Sequence, residues 1–124
     1  MKSSILLSMC VSAVLTLVVV SCGRKQADAT QPLQQSFKTA EPKVRQAIEA
    51  VNAHLKAKDY AAAARTLTPV VLQQRLTQPE AQAVGVALQQ LNQAIAADRS
   101  LDTKEMYELR AKMFHAVQNS GPRF

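Results

Sequence analysis

Between residues 41 and 119 apolar side chains recur at spacings of three and four, and no segment alternates as a half-buried strand does. That periodicity confines this part of the chain to helices. Val44, Ile48, Val51 and Leu55 share one face of a predicted helix over about residues 41–57, with Lys43, Arg45, Gln46, Glu49, Asn52 and Lys56 opposite. Pro42 suits its first turn, where a missing N–H costs nothing. Tyr60, Ala64, Leu67 and Val71 carry the pattern on from about residue 59. Pro69 falls inside that stretch, where a proline costs ~3 kcal/mol. The expectation is a break there, with Thr68 capping a short further helix that ends near Leu76, or a strong kink.

Thr77-Gln78-Pro79-Glu80 reads as a capping box with proline in the first turn, opening a helix that buries Ala81, Val84, Leu88, Leu91 and Ile95. Gly85 costs ~1 kcal/mol relative to alanine in that helix, which points to close approach of a neighbour. Asp102 and Glu105 read as a second box, with Leu101 and Met106 as its hydrophobic staple. Met106, Leu109, Met113 and Val117 then face inward, and Asn119-Ser120-Gly121-Pro122 stops the helix. The connections are short, so neighbours run antiparallel. The expected fold is all-α: a small antiparallel helical bundle or two stacked helical hairpins.

The first residues follow a different rule. After Lys2, the run Ile5 to Val20 is apolar except for Ser8, Ser12 and Thr16. It is shorter than the roughly 20 residues that span hydrocarbon comfortably, and reads as a signal peptide. Val19-Val20-Ser21-Cys22 then resembles the lipobox of bacterial lipoproteins, with Val19 where leucine is commonest. The resemblance implies that Val19, Val20 and Ser21 are read by the signal peptidase. Cleavage falls before Cys22, whose thiol carries a diacylglyceryl group and whose new amino group is often acylated. Two or three acyl chains hold a protein stably, at ~0.8 kcal/mol per buried CH₂. Gly23, rather than Asp, follows the cysteine. By the same resemblance, that directs the protein to the outer membrane, facing the periplasm, where the bacterium has one.

These features divide the chain into a signal peptide (1–21), a lipidated cysteine with a flexible tether (22–39), a helical domain (40–120) and a tail (121–124). The tether is polar and Gln-rich; within it Leu33 and Phe37, four apart, allow a helical turn docked on the domain. Cys10 leaves with the signal and Cys22 is lipidated, so no thiol remains for a disulfide or a metal. Of the 15 basic residues only Lys2 is lost, against 9 acidic ones, giving a mature charge near +5. An exported protein meets anionic head groups and wall polymers rather than nucleic acid.

Two further similarities concern the domain. Lys58-Asp59-Tyr60-Ala61-Ala62-Ala63 followed by Leu67 resembles the inter-helix turn of a tetratricopeptide repeat. The preceding helix departs from that family, with Ala47, Ala50, Val51 and His54 where it prefers Trp, Leu, Gly and Tyr. Internally, residues 47–57 align with residues 87–97 at an offset of forty, within the range of helical-hairpin repeats. Such hairpins present surfaces to other proteins.

Catalytic machinery is not legible. Ser36, Ser100 and Ser120 sit in linker, loop and cap contexts, and none lies in a Gly-x-Ser-x-Gly turn. His54 and His115 lack a partner at metal-ligand spacing, and His115 reads as a helix-dipole partner. Glu105 and Glu108 share a face with Lys104, Arg110 and Lys112, a solvated charged surface. No cofactor, metal site or enzyme activity is expected. The expected role is a lipid-anchored, non-catalytic module of the bacterial cell envelope that binds another envelope protein. The alternative is a lipoprotein that binds a small ligand or an anionic polymer.

Overall fold

A computed structural model describes residues 26–120. The lipobox residues Val19 to Cys22 and the tail 121–124 lie outside them. The described chain is a small helical bundle of five α-helices: α1 (Thr30–Ser36), α2 (Pro42–Lys56), α3 (Tyr60–Gln73), α4 (Gln78–Ala97) and α5 (Lys104–Asn119). A 3₁₀ turn, Arg99–Leu101, joins the last two.

The helices close into a ring. α2 and α3 form one hairpin and α4 and α5 another, and the hairpins meet chiefly through α3 and α5. On the other side α1 lies between α2 and α4. The core inside the ring includes Leu33 and Phe37 of α1 and its C-cap, Val51 of α2, Leu67 and Val71 of α3, Val84 and Leu91 of α4, and Met106 and Met113 of α5. Every helix contributes to this one core, so residues 26–120 carry the means to fold as a unit. An open stack of repeats, the alternative the tetratricopeptide-like turn suggested, lacks such closure: each repeat there touches only its neighbours. Here α3 makes only a small contact with α4, and α1 fills the gap between the two leading helices.

α1 changes the reading of residues 22–39. The segment expected to be a flexible tether contains this helix, which realises the docked turn that Leu33 and Phe37 allowed, and Ala29, Leu33 and Phe37 are buried. Polar side chains pin it as well. Gln93 Oε1 and Gln90 Oε1 accept the backbone N–H groups of Ala27 and Ala29 at 2.8 and 2.9 Å. Asn52 Nδ2 donates to the Thr30 carbonyl at 3.0 Å. Asn52, expected on the solvent face, is buried because it follows Ile48 by four and shares the inward stripe.

Several caps explain the helix boundaries. The Asp59 carboxylate accepts the N–H of Ala62 at the start of α3. Thr77 and Glu80 make the expected reciprocal box: Thr77 N–H to Glu80 Oε1 at 2.9 Å, Glu80 N–H to Thr77 Oγ1 at 3.3 Å. α5 departs from expectation. Its N-cap is Thr103, whose hydroxyl accepts the Met106 N–H at 3.1 Å, while Asp102 closes the 3₁₀ turn. The break expected at Pro69 does not occur; α3 runs through it. Pro69 and Arg65 both lie on the exposed side, where water can take the carbonyl that proline leaves unpaired. Gly85 also differs, because a Cβ there meets nothing within 4 Å. No close helix approach requires it.

Candidate interaction surface

α5 is amphipathic with a thin buried edge. Met106 and Met113, seven residues apart, are fully buried, while Leu109, Ala116 and Val117 are half-buried. Tyr107 and Phe114 follow them by one position each, so they share the adjacent face, 66% and 52% exposed. Ala111 stands between them. Leu72 on α3 is 55% exposed, and these three are the large apolar side chains left open among the described residues.

Clefts flank α5 on both sides. Toward α4, Leu88, Asn92, Arg110 and His115 line a cleft of about 370 Å³ together with Tyr107 and Phe114. Toward α3, Pro69, Leu72, Leu109 and Lys112 line one of about 500 Å³. The charges nearby are mostly tied down. Arg110 folds onto α4, donating from Nη1 to Asn92 Oδ1 at 2.7 Å and from Nε to the Met106 carbonyl at 3.3 Å. Arg65 donates to Glu105, and Lys104 lies 3.9 Å from Glu108. Hydrogen bonding and attraction by Glu105 raise the Arg65 pKa further, so that guanidinium stays charged. Lys112 has no carboxylate within 4.0 Å among the described residues. The result is an apolar ridge with one unpaired cation beside it.

The residues weighed for chemistry are dispersed. His54 is half-buried on α2 and His115 exposed on α5, its ring edge-on to Phe114 at 6.1 Å. His115 does not serve the helix end as expected, since the last turn of α5 holds no basic residue. The three serine hydroxyls are each committed: Ser36 donates across to the Pro79 carbonyl, and Ser100 and Ser120 donate locally to Asp98 Oδ1 and the Ala116 carbonyl. Among the described residues no three metal-ligating side chains gather, and no helix is long and apolar enough to cross a membrane.

Tyr107 and Phe114 were not singled out from the sequence. The missed signal was their seven-residue spacing one position off the inward stripe. No protein-family model matches the chain, and neither the curated proteins nor the solved structures give a match.

Proposed function

We propose that this chain is a lipid-anchored protein of the bacterial cell envelope, whose helical bundle binds another envelope protein through the α5 ridge and performs no catalysis. Val19-Val20-Ser21-Cys22 supports the anchor, and Gly23 supports an outer-membrane location where one exists. The observation that carries the docking role is the ridge itself. Tyr107 and Phe114 stand open on a bundle that, Leu72 apart, buries or half-buries its other large apolar side chains among the described residues, and aromatic anchors dominate protein interfaces. The fitting partner surface has an apolar centre and a carboxylate placed to meet Lys112.

The test is in-cell crosslinking from a photoreactive residue at Ala111, with Gln82 on the exposed face of α4 as control. One discrete envelope protein is expected from position 111 and none from Gln82. Phe114→Ser with Tyr107→Ser should lower the yield roughly tenfold, as loss of an anchor worth ~1–2 kcal/mol implies. Equal products from both positions, or a yield unaffected by the double substitution, would sink the docking role.

A further inference from the structure

Away from α5, a groove of about 440 Å³ runs between α1 and α2. α2 presents Arg45, Ile48, Asn52 and Lys56 along it, at helical spacings that keep them on one side, while Phe37 and Lys38 come from the end of α1. Arg45 and Lys56 are eleven positions apart, a rise of about 16 Å. The lower wall is Phe37 and Ile48, both almost wholly buried, and the exposed rim carries the three cations.

Two properties set this groove apart from ordinary surface. First, its charge is unbalanced. Lys38, Arg45 and Lys56 have no carboxylate within 4.0 Å among the described residues, and Glu49 is the one acid in the lining. Second, Asn52 lines the groove at 9% exposure, and its Oδ1 is buried with no hydrogen-bond partner. The same side chain's Nδ2 is committed to Thr30, so the free atom is an acceptor. An orphaned buried acceptor is costly unless something donates to it.

We propose that the groove between α1 and α2 binds a small amphipathic organic acid that carries a hydrogen-bond donor. The acid group lies against Arg45 and Lys38, the apolar body packs on Ala53 and the methylene stems of Lys38 and Lys56 above Phe37 and Ile48, and an N–H or O–H of the ligand satisfies Asn52 Oδ1. No residue of α5 lines the groove, so this site stands or falls separately from the docking ridge.

A direct test uses 6-anilinonaphthalene-2-sulfonate, which combines an apolar body, an anion and one N–H remote from that anion. It is titrated into ¹⁵N-labelled residues 23–124, which include the whole core, and followed by amide shifts. Saturable shifts at residues 34–38 and 45–56 are expected, weakened at least tenfold by Arg45→Glu on the exposed rim. 6-Phenoxynaphthalene-2-sulfonate, which keeps both ring systems and replaces the N–H by an ether oxygen, should bind several-fold more weakly to the unaltered protein, while Asn52→Leu should erase that difference. Shifts confined to Leu72, Tyr107 and Phe114, indifference to Arg45→Glu, equal binding of both sulfonates, or no shifts would each overturn the proposal.

Discussion

Lys58 is the residue at which local strain is most visible. It has φ 59°, the left-handed region, immediately after α2. The N–H groups of Asp59 and Lys58 reach back to the carbonyls of His54 and Leu55 at 2.9 and 3.1 Å, a Schellman closure that glycine serves best. Lys58→Gly should therefore raise the unfolding free energy by ~1 kcal/mol, measured by urea denaturation. Gly85→Ala should do the same by ~0.5–1 kcal/mol, because its Cβ enters open space and the unfolded chain loses freedom. Two carboxylates add a pH dependence. Hydrogen bonds from the side chain and backbone of Thr30 lower the Asp28 pKa, and those from Ser100 lower that of Asp98. Each therefore holds fewer protons folded than unfolded. The stability they contribute is present above the unfolded value near pH 4 and is lost as pH falls toward the folded one. Urea midpoints taken at pH 6 and pH 3 should differ less in Asp98→Asn than in the parent protein. An equal or larger difference would contradict that linkage.

Among the elements, α1 alters the account of the molecule most. If residues 26–39 were a loose tether, Phe37→Ala would change stability by less than ~0.5 kcal/mol. With Phe37 at 1% exposure in the core, a loss of ~3–5 kcal/mol is expected, read from the same denaturation curves. Sequence made α2 to α5 legible because long amphipathic periods and the Thr77 box are strong local signals. α1 was weaker: seven residues hold only Leu33 as an inward anchor, and Phe37 belongs to the cap. Its stability comes from Gln90, Gln93 and Asn52, tertiary partners that no local pattern reveals. Pro69 was misread for the opposite reason. Its local penalty is real, but Leu67, Val70 and Val71 around it are buried, and that packing keeps α3 continuous. Thr103 displaced Asp102 as the cap of α5 because the 3₁₀ turn occupies Asp102.

For the whole molecule, ring closure separates two surfaces. The α5 ridge is apolar with one unpaired cation, and the α1–α2 groove is cationic with an unsatisfied acceptor. The groove was not legible beforehand, since it depends on which helices become neighbours, and the ridge left only the seven-residue spacing of Tyr107 and Phe114 as a trace. The internal similarity takes on structural content at this scale too. Ile48, Val51 and Leu55 correspond to Leu88, Leu91 and Ile95, and all six are buried. Yet Asn52 holds α1, whereas its counterpart Asn92 holds Arg110, so matching positions serve different neighbours. With α1 docked, only residues 23–26 separate Cys22 from the held backbone of Ala27, at most about 18 Å of extended chain. On the proposed anchor, the bundle therefore sits close to its membrane, which limits the partners the ridge can reach. All of this depends on Cys22. Intact mass and N-terminal fragment analysis of the protein purified from its own membranes is the most direct test. The account predicts a chain lacking residues 1–21 that begins at Cys22 with a diacylglyceryl thioether; a chain retaining Met1, or a free thiol at Cys22, would contradict it.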